Sequence, residues 1–441
     1  MLGPGTTSVA RLNPNVSTDK VSLGGKLEPN QEGHFVYPES DDRFTSAAAF
    51  SSVANAVAAT EASWGESIHW ASRRDKLIVV PDSGKDLNAF YARAQGGLFF
   101  FHDIDRLTGE TVHSGRSGEV ATHEAFHAIL DAKRPEYLSS WDTDPGAFHE
   151  AMGDIGALAL SLQNERVLEL VAQQTGGDLR KQNSAAALGE ELGLALNHRA
   201  GHNATGGPWT RNAINNFTWV DPDTLPGQAP PDQLSSEVHS LSRLWTGAMY
   251  EILTGIVQVN LAQGQDAKTA LRGGGEELLK MQGRLLQEGM APQASFRFQE
   301  MARALIRSED ELNGGQYSAL IAEVMDRRRI LPQGVRLLAQ DLSGAHPVKV
   351  TLEGAQFGPF EGMEVSHKVS GEARGLLEDE GEKVQLSKNL ARLIANGDIL
   401  MTLPHQDPSS LRLVKDDGEP YRGVVRWKEG KAMIEPTYVI G

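Results

Sequence analysis

At 441 residues, with 40% hydrophobic and 23% charged residues, the chain has room for two or three domains and the composition of an ordinary globular protein. A net charge of −16 argues against nucleic acid and anionic membrane surfaces as partners. The absence of cysteine excludes disulfides, cysteine nucleophiles and thiolate metal sites, and no apolar run reaches the length of a membrane span.

Residues 1–40 are rich in Gly, Pro, Ser and Asn without periodicity, which predicts a loosely draped N-terminal arm. The first residues lack a basic stretch followed by an apolar core, so no signal peptide is read there. The expected location is cytoplasmic, or secreted if the chain is a trimmed mature form. Residues 43–63 are Ala-rich with apolar positions at helical spacing and predict a helix. DKLIVVPDS, LNAFYARA and GGLFFFHDI then predict strands of a twisted antiparallel sheet. Asn88 is read either as a turn residue or as part of an edge strand facing a cleft, where free backbone groups hold an extended peptide. Asp103 and Asp105 lie in a loop that lacks the full calcium-loop pattern and is read as a solvated turn.

The next stretch, SGEVATHEAFHAILDAKRP, organises the chain. Ser117 is placed to cap a helix, Glu119 complements the dipole in its first turn, and Pro135 ends it behind Lys133 and Arg134. Inside lie His123, Glu124 and His127. A spacing of four sets both imidazoles on one helical face, able to share a tetrahedral Zn²⁺ with Glu124 beside the open position. A second helix, GAFHEAMGDIGALAL, carries Glu150 and Asp154, again four apart. Glu150 is the candidate third ligand, and Asp154 the acceptor for the ring N–H of His123. HExxH alone is short, and two buried core histidines with a paired glutamate give the same pattern; the downstream acids on one face favour the metal.

After Asp154 the chain reads as mostly helical to about Leu331. A Gly- and Pro-rich loop region runs from Arg199 to Leu234, and its histidines, His198 and His202, are read as surface residues. His239 falls in the first turn of the helix SSEVHSLSRLWTGAMYEILTGIV, as a helix-start histidine or as a donor aimed into a cleft. Beyond Pro332 short β-like runs and one helix predict a small β-rich domain closed by a hairpin turn at Glu429–Gly430.

HEAFH followed by GAFHEAMGDI resembles the thermolysin-like neutral metallopeptidases, zincins whose third ligand is a glutamate. LNAFYARAQGGLFFF resembles that family's substrate-binding edge strand, TRNAINNF its substrate-carbonyl arginine segment, and EVHSLSRLWTGAMYEIL the helix with its catalytic histidine. FRFQEMARALIRSEDELNGGQYSALIAEVMDRRRIL resembles its closing helical pair. These segments come in family order over roughly residues 70–330. The resemblance implies an α+β, two-lobed fold: a β-rich N-terminal lobe to about residue 135, a central zinc helix and a helical lobe. The expected division is an arm at 1–40, a metallopeptidase domain at 41–335 and a small β-rich domain at 336–441.

The implied activity is zinc-dependent hydrolysis of peptide bonds in a peptide or protein substrate, with an apolar residue after the scissile bond. One Zn²⁺ on His123, His127 and Glu150 brings its bound water toward a pKa of ~7. Glu124 acts as general base and His239 donates to the oxyanion. Arg211 holds a substrate carbonyl, and Asn88 and Ala89 orient the peptide. Where the family places a second oxyanion donor, a tyrosine, this chain has Trp141, with Tyr137 nearby. His149 stands where the family has an asparagine, and Glu237 and Asp232 are the acids near His239. The acids that bind paired calcium ions in the family are not evident, so calcium is not expected. The G-x-M-E-N-like segment of an aminopeptidase is not seen either. The alternative is a catalytically impaired relative that keeps the zinc core as a binding or scaffold module. Neither oligomeric state nor natural substrate follows from the sequence.

Overall fold

A computed structural model describes residues 16–332, 345–370, 376–404, 406, 411–415, 419–428 and 430–441. The class is mixed α+β. Strand β1 (Val21–Leu23) leads to helix α1 (Phe44–Trp64), whose C-cap Gly65 takes the left-handed conformation at φ 69°. Strands β2 (Leu77–Val80), β3 (Ala89–Ala92) and β4 (Gly97–Phe100) follow, then the hairpin of β5 (His102–Ile104) and β6 (Thr111–His113).

The first sheet has strand order β1–β2–β4–β3 and is completed by the last strand of the chain, β14 (Val439–Ile440). It is mixed rather than antiparallel. β1 and β4 both run parallel to β2, while β3 runs antiparallel to β4 and β14 antiparallel to β3. From residue 16 the N-terminal segment is not a draped arm. Val16, Val21, Leu27, Phe35 and Tyr37 are buried in the core, and β1 forms a sheet edge. Composition suggested a solvated tail, but these apolar side chains scattered among Gly and Pro suffice to dock it.

Behind the sheet lie α2 (Gly118–Lys133) and α3 (Thr143–Ser161). Ser117 caps α2 through its side chain, which accepts from Val120 N, and Glu119 and Lys133 complement the dipole at the two ends. α2 and α3 approach closely because two glycines of α3 make room. A Cβ on Gly156 would lie 2.3 Å from Phe126 Cδ2, and one on Gly153 2.5 Å from His123 Nδ1. Then come α4 (Glu165–Thr175), the short pair β7 (Ala187–Leu188) and β8 (Arg211–Asn212) flanking α5 (Glu190–Ala200), and the helices α6 (Val238–Ala262), α7 (Ala267–Leu285), α8 (Phe298–Asn313) and α9 (Ser318–Arg327). α6 crosses α3, with Trp245 edge-on to Phe148 at 5.6 Å. One continuous core joins the sheet to these helices.

The chain then forms β9 (Ala345–Thr351), β10 (Glu364–Ser370), α10 (Leu376–Ala395), β11 (Ile399–Leu400), β12 (Gly423–Lys428) and β13 (Lys431–Pro436). Its sheet, ordered β11–β12–β13–β10–β9, packs its own small core of Val348, Phe357, Leu390, Val425 and Ile434. The expected boundary at 335/336 lies outside the described residues, as does Glu429 of the expected turn. Trp141, at the entry to α3, is buried in this second core, and its indole Nε1 donates to Ser366 O at 3.4 Å.

Beside it Asp142 ties the two cores together. It accepts from Ser295 Oγ and from Asn389 Nδ2 of α10, and lies 3.7 Å from His367 Nε2 of β10. Burial pushes the Asp142 carboxyl up, but the His367 imidazole and the Ser295 hydroxyl outweigh it and hold it below its ordinary 3.8. A carboxyl lowered on folding stabilises above its unfolded pKa and loses that contribution as pH falls through its folded pKa. Asp142→Asn is therefore expected to lower the thermal midpoint at neutral pH, with the gap to wild type closing below pH 3.8. Melting curves from pH 7 to pH 3 check this; a gap that widens in acid contradicts it.

Candidate metal centre

One turn of α2 separates His123 from His127, and their rings stand edge-to-face at 4.6 Å. α3 brings Glu150 across. Its Oε2 lies 3.2 Å from His123 Nε2 and its Oε1 3.5 Å from His127 Nε2. All three side chains are buried, and they form a group with the donors to hold a metal ion. The contacts have the distances of weak hydrogen bonds without the angles. Both Glu150 oxygens and His127 Nε2 are buried with no hydrogen-bond partner among the described residues. Donors about 2.0–2.1 Å from a tetrahedral centre stand about 3.3 Å from one another. The spacing and the orphaned lone pairs thus suit three atoms arranged around an ion rather than bonded to each other.

The surroundings hold this group in place. Asp154 Oδ1 lies 3.1 Å from His123 Nδ1, and the same carboxylate accepts from Arg211 Nε at 2.9 and 3.0 Å and from Thr246 Oγ1 at 3.0 Å. His149 Nδ1 is 3.4 Å from His127 Nδ1. The ring of His123 sits over Gly153, in space that a Cβ would fill.

Burial works against the His123 imidazolium and so does Arg211, yet Asp154 and Glu150 raise the ring to about 9. Burial, helped by His123, His149 and Arg211 and opposed by Glu150, drives His127 well below the ordinary histidine range; burial with Arg93 and Arg422 lowers His149 to about 3. Glu150 is held well below the carboxylate range against its burial by His239, His127 and His123. Glu124, buried with an unpartnered Oε2, is pushed up to about 8, first by burial and then by Glu150.

His239 stands in the first turn of α6, with Nε2 3.4 Å from Glu150 Oε2. Glu237 caps that helix, accepting from the backbone N–H of His239 and Ser240, and its Oε1 lies 2.7 Å from His239 Nδ1. Of the two acids weighed for orienting His239, the structure puts Glu237 in contact. Glu419, from the C-terminal segment, is 3.8 Å from the same nitrogen. Burial opposes the His239 imidazolium, but Glu150, Glu237 and Glu419 outweigh it and raise its pKa well above the ordinary value.

A cavity of about 630 Å³ opens here, its wall including Asn88, Ala89, His123, Glu124, Arg211 and His239. The expected substrate-binding residues Asn88, Ala89 and Arg211 are thus gathered around it. Trp141 is not among its lining residues, because its side chain is spent on the second core; Tyr137 is buried too, donating to Pro292 O. His198 is tied to Asp105, Nδ1 to Oδ2 at 2.8 Å; its side chain stays partly exposed, whereas Asp105 is buried and is not the solvated turn residue the sequence suggested. The outer edge of β3 is not free along its length either, since β14 pairs with Tyr91 and Ala92 and Gly441 reaches the cavity wall. Glu419 and Gly441 carry no local signal, because their place depends on pairings hundreds of residues apart in sequence. Gly153 was legible in principle, as the residue one turn after Glu150 on the face that meets α2.

No family model and no curated protein matches the chain. Among the described residues no helix is long and apolar enough to cross a membrane.

Gly153→Ala is expected to displace the His123 ring and weaken binding of a divalent metal ion at least tenfold, and Asp154→Asn to weaken it by about 10–100-fold. Equilibrium dialysis against buffered zinc measures both. Affinity equal to wild type in both variants would mean that His123 is not a ligand.

Proposed function

We propose that the chain is a metallopeptidase of the thermolysin-like kind, and more particularly a zinc-dependent endopeptidase. The observation that carries this reading is the conjunction of the buried His123–His127–Glu150 group with Glu124 on the wall of the same cavity. Two imidazoles and a carboxylate are a zinc donor set, and a structural site would have no use for a buried, unpartnered carboxyl beside it.

Zinc held by His123, His127 and Glu150 would supply Lewis acidity to a scissile carbonyl and acidify water next to it. The rest is the work of the chain. Glu124 takes a proton from the attacking water as the water oxygen bonds to the carbonyl carbon. It returns that proton to the leaving nitrogen as the C–N bond breaks. Burial and the neighbouring Glu150 hold the Glu124 pKa above its ordinary value, which suits the carboxyl to take up that proton and pass it on. His239, kept protonated and steered by Glu237, donates to the developing oxyanion. Arg211 is committed through Nε to Asp154 and packs over His123, so it braces the ligand as well as facing substrate. Asn88 and Ala89 offer the end of β3 nearest the group to an extended peptide.

Digestion of a mixed peptide pool tests this. The wild type is expected to cut before apolar residues, while Glu124→Gln retains zinc and loses activity by at least about 100-fold, as removal of a general base requires. If both proteins hold zinc and neither cuts, the group serves a binding or scaffold protein instead. Glu237→Gln is expected to lower kcat with little change in KM, because it loosens the oxyanion donor rather than peptide binding; a change confined to KM would argue against that role.

A further inference from the structure

Away from that centre, the β5–β6 hairpin gathers a second set of ligand-type side chains. His102 opens β5 and His113 closes β6, and the antiparallel register sets them directly opposite each other. Directly paired residues share a face of the hairpin, and here the two rings lie 5.2 Å apart at 35°. Asp82 comes in from the loop after β2, with Oδ1 2.8 Å from His102 Nδ1. Backbone bonds fix that loop against the hairpin: His102 N donates to Gly84 O at 3.0 Å, and Asp86 N to His102 O at 2.9 Å. One ligand atom from each of Asp82, His102 and His113 lies within 4.8 Å of the other two. His113 Nδ1 is buried and has no hydrogen-bond partner among the described residues. A buried ring nitrogen left without a partner is costly unless something else occupies its lone pair or takes its proton.

We propose that Asp82, His102 and His113 form a second metal site, for a borderline divalent cation such as Zn²⁺. Two imidazoles with one carboxylate favour zinc, cobalt, nickel or copper over calcium and magnesium, which require more oxygen donors. The side chains of His102 and Asp82 are partly exposed, which leaves the remaining positions to water. Nearby, Arg116 donates through Nε to Thr45 Oγ1 at 2.8 Å.

The position gives the site a role. β6 runs through the turn Ser114–Arg116 directly to Ser117, the cap of α2, and the loop from Asp82 leads to Asn88. A cation here staples the segment entering the first metal helix to the segment entering β3. The site is structural, and it does not depend on the proposed peptidase activity.

The test is a Co²⁺ and Zn²⁺ titration of the full chain carrying His123→Ala and His127→Ala, followed by calorimetry and, for cobalt, by visible absorption. One equivalent is expected to remain, to raise the thermal midpoint, and to weaken at least tenfold when His113→Ala or Asp82→Asn is added. No binding, or several weak equivalents indifferent to His113→Ala, overturns the proposal. Should the double variant not fold, stoichiometry decides: the wild type is expected to hold two equivalents and His113→Ala one. A wild type whose single equivalent survives His113→Ala but not His127→Ala sinks the second site and leaves the first standing. The reverse pattern sinks the first and leaves the second.

Discussion

The close crossing of α2 and α3 is the constraint on which the rest of the site depends. Two helices carrying ordinary side chains pack at 8–10 Å between axes, held apart by those side chains, and a Cβ at Gly153 or Gly156 would stand where the rings of His123 and Phe126 lie. Gly153 and Gly156 remove the obstructing Cβ atoms, so that the rings of His123 and Phe126 lie directly over the backbone of α3. Glu150, one turn before Gly153, then meets the nitrogens of His123 and His127. Phe126 fills the space over Gly156 and holds the crossing on its apolar side, while Asp154 and Arg211 hold it on the polar side. The geometry of the donors is thus a consequence of backbone packing, and rotamer choice in an open cleft plays little part in it.

That packing carries an electrostatic cost, and the cost is informative. Glu124, Glu150 and Asp154 are buried within a few residues of one another in space, and only Asp154 has well-formed hydrogen bonds. Leaving a buried charged group unsatisfied costs several kcal/mol. Arg211 and His239 offset part of this by lying against Glu150, at 3.7 and 3.4 Å, but neither satisfies its lone pairs. A dication among the three donors removes the penalty on Glu150 and the imidazoles together. Arg211 can remain on Asp154 throughout, which is a reason for it to be arginine: its Nε donates to both carboxylate oxygens while its Nη2 lies 3.3 Å from both ring nitrogens of His123.

What the sequence made legible follows from the range of the interactions. HEAFH, and Glu150 with Asp154, are spaced by one helical turn, and helical spacing is local; the choice of Glu237 over Asp232 beside His239 was left open by the sequence and follows from the helix cap in the fold. The α+β class and most helices were readable from the same local spacing. The direction of strand pairing was not, since VPDS and ARAQGG signal turns without saying which neighbour a strand will take; the result is a mixed sheet. Trp141 was misplaced because its position relative to Glu150 says nothing about a core built 200 residues later, where the indole is wanted for packing against Gly423. The pairing of His102 with His113 was within reach of sequence, as the ends of a hairpin, but Asp82 was not. It arrives from the neighbouring sheet.

The C-terminal segment is the least legible part and changes how the cleft is understood. From composition it is an appended module, yet its last strand completes the first sheet. Val439 and Ile440 are buried, Tyr438 O accepts from Arg93 N, and the Arg93 guanidinium lies over the Tyr438 ring at 4.5 Å. The same arginine grips Asp131 on α2, and Tyr91 of β3 donates to that carboxylate, so the closing strand is linked through two side chains to the helix that carries His123 and His127. On its way back the segment leaves Glu419 beside His239. Part of the charge that keeps His239 protonated therefore comes from residues far beyond the helical lobe. The β3 edge facing the cavity is limited by β14 at Tyr91 and Ala92, so the opening at Asn88 and Ala89 is defined by the end of the chain as much as by the strand itself. A cleft assembled in this way cannot be cut at the start of the small β-rich module without losing one of its walls.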